Sequence, residues 1–366
     1  MVSSRKAKGA VLELGTGDFT RALGTGAGQV RMETSSGGGF AAFGANRIVN
    51  LGGAGAPLLW GDVTTKFLRG PVLFGAGEGV GSLHLGSATA THTVDFQNAM
   101  EFNNGDSFAT RYIVVPDGLA AKEAVISGNL SLDGLPGTEE VFLGLEVAGA
   151  LEITGIISGV IQVYAFNGGT VTLTGANTHT AGTFIDGVTL VVNSDAAFGA
   201  AAGLVEMYDN STIRAAGAIT SNRTFGMYGI NTVLDTNGFA VTFDTGSTVE
   251  GEHLIKDGAG TLTLAGTQTY ETLTTEAGTT NVNSLLGSGF SVVNANATVN
   301  FGASQTLAAL NIGDGVEVTF GDGLPLTGGP GKSAVSAVVP EPGSMGLLLT
   351  GALGFLGRRR RSGCPE

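Results

Sequence analysis

The sequence predicts an all-β protein built as a solenoid. Glycine makes up 62 of the 366 residues and recurs at short intervals, without the three-residue period of collagen. Short alternating runs of Val, Thr, Leu and Ile stand between the glycines, as in Gly169–Gly175, Gly260–Gly266 and Gly315–Gly323. Such runs are typical of strands that end in turns. Residues 1–333 show no sustained helical period, and each glycine inside a helix would cost about 1 kcal/mol.

An internal repeat is the third observation. Gly169–Asn193 and Gly260–Ser284 superpose at a shift of 91 residues, with matching Gly, Thr, Leu and Val positions. Repeated strand-turn-strand units indicate stacked coils, whose inward Val, Leu and Ile form one core and whose Thr and Asn stack in ladders. At roughly 20–25 residues per coil, residues 1–333 would form about 15 coils and a rod on the order of 70 Å long. A pair of β-sandwiches is the alternative fold.

The repeat also resembles a known family. Gly169–Asn193 is similar to the autotransporter-associated β-strand repeat, and Gly260–Val282 resembles it except at Glu271-Thr272-Leu273, where that pattern usually carries small residues and a glycine. Weaker similarity extends over Ala41–Gly53, His92–Asn103 and Arg223–Phe243. The resemblance implies a right-handed parallel β-helix.

These observations divide the chain into four segments. We expect the solenoid to occupy residues 40–325, including the repeats at 169–193 and 260–284. Residues 1–39 are expected to be its N-terminal part or a truncated start, and residues 326–339 a linker. The glycine-rich Gly328–Ser333 lacks the first glycine of a phosphate-binding loop. The remaining segment, 340–361, has a different composition.

That last segment has three consecutive parts. Pro340, Glu341 and Pro342 precede the uncharged apolar run Ser344–Gly357, which is followed by the four arginines Arg358, Arg359, Arg360 and Arg361. As a helix, the 14 residues of the apolar run would span about 21 Å, against a hydrocarbon thickness of ~30 Å. The sequence predicts a short C-terminal transmembrane helix with its arginines on the cytoplasmic side.

The order of these parts resembles the PEP-CTERM sorting signal. The resemblance implies an exported protein of a Gram-negative bacterium that makes exopolysaccharide, and removal of the tail by an exosortase, a multipass membrane protease. The implied partners are this protease, the inner membrane transiently, and extracellular polysaccharide. Export requires a signal peptide, whereas Glu13 interrupts the apolar stretch of the first 20 residues. We therefore expect either a mis-called start or a lost upstream segment.

Charge and composition exclude several classes of function. The formal net charge is −13, and without the residues after Pro342, which hold four arginines and one glutamate, 14 basic and 30 acidic residues leave −16. Nucleic-acid binding requires the opposite sign. Cys364 is the single cysteine, so no intramolecular disulfide can form. We expect no cofactor and no metal, because the histidines lack metal-ligand spacing: His84, His92, His179 and His253.

Catalysis is not expected either. Some parallel β-helices cleave acidic polysaccharides with clustered aspartates, but the carboxylates here are spread at about one per coil, as on a solubilising outer face: Asp186, Asp209, Asp235, Asp244 and Glu250. The sequence therefore predicts a non-enzymatic structural or adhesive protein of the cell surface or exopolysaccharide matrix. A polysaccharide-cleaving β-helix and a passenger-like adhesin with a specific receptor are the alternatives.

Overall fold

The computed structural model describes residues 9–32, 37–61, 67–68, 81–102, 110–132, 141–286, 291–303, 305–321, 325–327, 333–335 and 338–339. Strands dominate this part of the chain, and its one helical element is the 3₁₀ turn Asp195–Phe198. The all-β prediction is confirmed. No helix among the described residues has both the length and the apolar character needed to cross a membrane.

The strands are short and follow one another closely. In the first part of the chain they are β1 (Ala10–Leu14), β2 (Gly38–Ala42), β3 (Arg47–Val49), β4 (Leu58–Leu59), β5 (Leu83–Leu85), β6 (Val94–Phe96), β7 (Met100–Glu101), β8 (Thr110–Val115), β9 (Ala124–Ile126), β10 (Leu130–Leu132), β11 (Val141–Val147), β12 (Ala150–Ile153) and β13 (Ile157–Gly159). In the middle they are β14 (Ile161–Phe166), β15 (Thr170–Leu173), β16 (Thr183–Asp186), β17 (Thr189–Val192), β18 (Val205–Met207), β19 (Thr212–Ala215), β20 (Ile219–Ser221), β21 (Thr224–Met227), β22 (Val233–Asp235), β23 (Ala240–Phe243) and β24 (Thr248–Asp257). In the last part they are β25 (Thr261–Leu264), β26 (Thr267–Thr275), β27 (Thr279–Val282), β28 (Val292–Ala295), β29 (Thr298–Phe301), β30 (Gln305–Thr306), β31 (Ala309–Ile312), β32 (Glu317–Phe320), β33 (Pro325–Thr327), β34 (Ser333–Val335) and β35 (Val338–Val339).

Parallel pairing arranges the strands in three stacks. The first stack runs β1-β2-β5-β8-β11-β14-β16-β18-β21-β24-β26. The second runs β3-β6-β9-β12-β15-β17-β19-β22-β24-β26-β28-β31. The third has two parts, β4-β7-β10-β13 and β20-β23-β25-β27-β29-β32. The long strands β24 and β26 contribute to both of the first two stacks.

This topology confirms the parallel solenoid. Thr170 pairs with Thr189, and Thr189 pairs with Thr212, so these coils are 19 and 23 residues long. Coils near the N-terminus are longer, since Gly38 pairs with Leu83. The right-handed sense of the coil stays a prediction, and the predicted transmembrane helix at 344–357 lies outside the described residues.

Each copy of the repeat covers about one coil, but the two copies, 91 residues apart, occupy different faces. In the first copy β15 lies directly below β17 in the second stack, with Thr170 opposite Thr189. In the second copy β25 lies below β27 in the third stack, with Thr261 opposite Thr279. The repeated sequence therefore specifies a strand that stacks on its successor one coil later, and it does not fix which face carries that strand.

The core lies between the stacks and is formed by alternate residues. In β14 and β15 every second side chain is buried, as expected for strands with one face toward a core. One inward column joins five successive coils of the first stack: Leu145, Ala165, Ile185, Met207 and Met227. Phe225 contacts Phe243, with ring centroids 4.4 Å apart, and Phe198 edge-on at 5.8 Å. One continuous apolar column thus runs along the solenoid.

Polar ladders run along the outside, as the sequence predicts. Asn300 Nδ2 donates to Asn281 Oδ1 over 2.8 Å, and Thr319 Oγ1 donates to Asn300 Oδ1 over 2.5 Å. On the second stack Asn311 Nδ2 donates to Asn294 Oδ1 over 2.9 Å. Because the coils are in register, each asparagine amide meets an Asn or Thr side chain on a neighbouring coil.

The C-terminal end of the solenoid is covered by antiparallel strands. β33 pairs with β32, β34 with β31, and β35 with β30. These strands lie largely within residues 326–339, the segment predicted as a linker. The difference has a physical reason, because the last coil exposes unpaired backbone N–H and C=O groups that an adjacent extended segment can satisfy.

Candidate functional site

Two regions are candidates for function, and the first is the tail. Pro340, Glu341 and Pro342 and the run Arg358–Arg361, the residues predicted to direct sorting, all lie outside the described residues. The last described strand, Val338–Val339, ends directly before Pro340 and pairs with Gln305–Thr306. The predicted sorting signal therefore begins immediately after the solenoid end.

The second region is a stripe on the outer surface of the first stack, where aromatic and acidic side chains share adjacent columns. We call it the aromatic–carboxylate stripe. Its aromatic members are half-buried: Tyr164, Phe166, Phe184, Tyr208 and Tyr228. Its carboxylates, equally half-buried, are Asp186, Glu206 and Glu250.

The register of the parallel strands creates this stripe. Tyr164 pairs with Phe184, and Phe184 pairs with Glu206, which places the three side chains in one outward column. Phe166 pairs with Asp186 and begins a second column. Because Ile185 pairs with Met207, the next residues along the chain, Asp186 and Tyr208, are neighbours in this column. Parallel in-register stacking thus brings together residues about 20 positions apart in the sequence.

Each tyrosine of the stripe is hydrogen-bonded to a carboxylate. The Tyr164 hydroxyl donates to Asp186 Oδ2 over 3.1 Å, and the Tyr228 hydroxyl donates to Glu250 Oε1 over 2.9 Å. The Tyr208 hydroxyl donates to the carboxylate of Glu206. These bonds hold the rings and the carboxylates in fixed relative positions, and each carboxylate keeps lone pairs that can accept further hydrogen bonds.

The surroundings keep the tyrosines protonated. Burial, followed by the nearby Asp186, raises the pKa of Tyr164 to about 12. Burial, followed by the hydrogen bond to Glu250, raises the pKa of Tyr228 to about 12. The pKa of Tyr208 is raised by burial and by Glu206. All three hydroxyls are therefore hydrogen-bond donors at neutral pH.

Ring contacts and a glycine complete the surface. The rings of Tyr164 and Phe166 stack with centroids 5.4 Å apart, and those of Tyr208 and Tyr228 are 6.0 Å apart. Gly226 lies between Glu206 and Glu250 in its column, and a Cβ there would come within 2.4 Å of Tyr228 Cε2. The absent side chain leaves room for the Tyr228 ring to lie over the backbone.

The carboxylates named in the sequence analysis do not form one group. Asp186 and Glu250 belong to the stripe, whereas the other three have local partners. Asp209 Oδ1 accepts from the backbone N–H of Ile230 over 3.0 Å, and Asp244 Oδ1 accepts from that of Thr245 over 2.8 Å. Asp235 accepts from Arg214 Nε over 2.7 Å.

A buried polar cluster supports the solenoid beneath the 3₁₀ turn. Arg223 Nε donates to Asp195 Oδ1 over 2.8 Å, and the same guanidinium donates to the carbonyls of Gly199, over 2.7 Å, and Gly203, over 3.2 Å. Burial, together with the nearby Arg223 charge, lowers the pKa of His179 to about 4. The role of this cluster is structural, since it satisfies carbonyls where the chain leaves the strand pattern.

The described residues contain no group of three or more His, Cys, Asp and Glu side chains that could hold a metal ion. His179 is fully buried, and its Nε2 lies 2.9 Å from Thr183 Oγ1. Tyr270, its counterpart in the repeat, is also buried. Both therefore occupy core positions.

The stripe is not recognisable from the sequence alone. Its signal is a spacing of one coil: Tyr164 precedes Phe184 by 20 residues, and Asp186 precedes Tyr208 by 22. Such spacings carry meaning only once the coil length is known, and coil length varies along this chain.

Comparison with known proteins identifies the tail. Residues 338–361 match the family model of the PEP-CTERM protein-sorting motif. This motif indicates an exported protein that is processed by an exosortase, a membrane protease, and delivered to the cell surface or the extracellular space. No curated protein and no solved structure matches the chain.

Proposed function

We propose that this protein is a non-enzymatic structural or adhesive component of the cell surface or exopolysaccharide matrix. The observation that carries the proposal is the sorting motif at residues 338–361, which begins at the capped end of a parallel solenoid. The continuous core makes the solenoid a rigid rod, which suits a protein that must persist outside the cell.

The tail acts as a temporary anchor in this proposal. Ser344–Gly357 would span about 21 Å as a helix, some 9 Å short of the ~30 Å hydrocarbon core. Arg358–Arg361 stay on the cytoplasmic side, which leaves Glu341 at the outer boundary of the inner membrane. Cleavage near Pro340-Glu341-Pro342 then releases the rod. We further infer that the coil is right-handed and that its repeats are of the autotransporter-associated type.

The absence of enzymatic activity is part of the proposal. Its support is that Asp209, Asp235 and Asp244 have separate structural partners, while the stripe carboxylates accept hydrogen bonds from tyrosines. The purified protein is expected to release neither reducing ends nor unsaturated products from polysaccharides. Such a release, abolished by substitution of a single aspartate, would contradict this part.

The sorting proposal is tested by cell fractionation. The full chain, with a functional signal peptide supplied, is expressed in a host that has an exosortase and in the same host without it. We expect the protein in the matrix fraction of the first host and in the inner-membrane fraction of the second. The double variant Pro340→Ala with Glu341→Ala should remain in the inner-membrane fraction even in the host that has an exosortase. Equal distribution of all three samples would contradict the proposal.

A further inference from the structure

We propose that the aromatic–carboxylate stripe binds a polysaccharide chain that carries no acidic groups. This inference rests on the proposed location in a polysaccharide matrix and specifies the class of polysaccharide. Four properties of the stripe support it: its rings, its spacing, its charge and its fixed geometry.

The rings supply a surface for sugar binding. The aromatic side chains of the stripe are half-buried, so one part of each ring packs on the solenoid and another part faces solvent. A pyranose ring has an apolar C–H face that can cover an aromatic ring and remove apolar surface from water. The stacked pair of Tyr164 and Phe166 and the pair of Tyr208 and Tyr228 provide two such surfaces on different coils of the stripe.

The spacing fits a polymer. Successive coils of a parallel sheet are about 4.7–4.9 Å apart, which is close to the length of one pyranose unit in an extended chain. Tyr164, Phe184 and Glu206 occupy three successive coils in one column. A chain lying along the solenoid axis can therefore place successive sugar rings over successive coils, which offer aromatic rings first and carboxylates further along the column.

The charge of the stripe selects the polymer. The outward positions of β14, β16, β18, β21 and the first half of β24 include Asp186, Glu206 and Glu250 and carry no lysine or arginine. A polymer with carboxylates or sulfates would meet like charge here and gain no ion pair. Hydroxyl groups and protonated amines, in contrast, can donate hydrogen bonds to the free lone pairs of these carboxylates.

The site is also preorganised. The hydrogen bonds from Tyr164 to Asp186 and from Tyr228 to Glu250 hold donors and acceptors in place before a sugar arrives. Gly226 leaves the space that the Tyr228 ring occupies, since a Cβ there would come within 2.4 Å of Tyr228 Cε2. Side chains that are already ordered lose less entropy on binding, so weak contacts repeated along a chain produce measurable affinity.

The test is calorimetric titration of the folded full chain with three oligosaccharides of equal length: cellohexaose, the glucosamine hexamer and the galacturonate hexamer. We expect binding of the first two and none of the third. The glucosamine hexamer should bind more tightly than cellohexaose at low salt, and this advantage should shrink as salt is added. Binding of the galacturonate hexamer as tight as that of cellohexaose, or no binding of any oligomer, would overturn the proposal.

Substitutions locate the site. Phe184→Ala and Tyr228→Ala should each weaken cellohexaose binding by roughly three- to tenfold, because each removes one apolar surface. Phe239→Ala removes an exposed ring from the end of a different stack and is the matched control, with unchanged affinity expected. Far-UV circular dichroism verifies that each variant is folded. Affinity unchanged in both stripe variants would overturn the assignment.

The carboxylates are tested separately with Glu206→Gln and Glu250→Gln, which keep the shape of the side chains. Both substitutions should weaken binding of the glucosamine hexamer more than binding of cellohexaose. An equal loss of affinity for the two ligands would contradict the role assigned to charge. These outcomes are independent of sorting. A protein that is delivered to the matrix but binds no oligosaccharide would disprove this inference alone, and a missorted protein that binds cellohexaose would disprove only the proposed sorting.

Discussion

Arg223, whose side chain is buried, forms an ion pair with Asp195 that ties the 3₁₀ turn to the short segment between β20 and β21. Arg223 Nε lies 2.8 Å from Asp195 Oδ1, and 1% of the arginine side chain is exposed. A second arginine on a nearby coil, Arg214, pairs with Asp235 over 2.7 Å with 49% of its side chain exposed. The two pairs have similar distances and differ in burial.

We expect Arg223→Ala to lower the free energy of unfolding by about 3–5 kcal/mol, since it leaves buried carbonyls and Asp195 without their donor. Arg214→Ala is the matched control and should lower it by less than about 1 kcal/mol, because solvent screens an exposed pair. Urea unfolding followed by circular dichroism measures both. Equal losses in the two variants would show that the buried cluster has no special role.

His179 should make the solenoid sensitive to acid. Its folded pKa of about 4 lies below the unfolded value of 6.5, so the folded state favours the neutral ring. The resulting contribution to the free energy of unfolding, about 3 kcal/mol, is fully present above pH 6.5 and is lost as pH falls toward 4. In His179→Gln that part of the pH dependence should disappear, while the part due to carboxylates remains. Parallel pH dependences in wild type and variant would exclude His179 as the cause.

The asparagine ladder should contribute measurably to stability. Asn300 donates to Asn281 and accepts from Thr319. Asn300→Ala is expected to cost about 1–2 kcal/mol, because both bonds are lost at a half-buried position. Asn300→Asp should cost more, since a carboxylate oxygen then faces the Asn281 Oδ1 that had accepted a hydrogen bond. Thermal unfolding of the two variants compares these costs, and a more stable aspartate variant would contradict the ladder geometry.

Much of the fold could be predicted because the determinants are local. Alternation in runs such as Thr170–Leu173 predicts a strand with one buried face, and the matched repeat predicts that it stacks on a successor, as Thr170 does on Thr189. The face that carries each copy could not be predicted, since it depends on how many residues turn each corner. The antiparallel strands at the C-terminal end also escaped prediction, because the open edge of the last coil stabilises them.

The two candidate regions also differ in whether the sequence alone could reveal them. The tail was recognisable because Pro340, Glu341 and Pro342, the apolar run and Arg358–Arg361 are contiguous. The stripe was not, because Tyr164, Asp186 and Tyr208 come together only through the register of three coils. A site assembled from residues far apart in the sequence can be predicted only when the coil lengths are known. Loops of unequal size change these lengths along the chain.

We propose that the tail is a sorting signal that is removed during delivery. The most direct test of this proposal is the intact mass of the protein recovered from the matrix of a host with an exosortase. We expect a chain that ends near Pro340-Glu341-Pro342 and lacks Arg358–Arg361, and a full-length chain at the membrane for the double variant Pro340→Ala with Glu341→Ala. A matrix-located protein whose mass still includes the four arginines would contradict it.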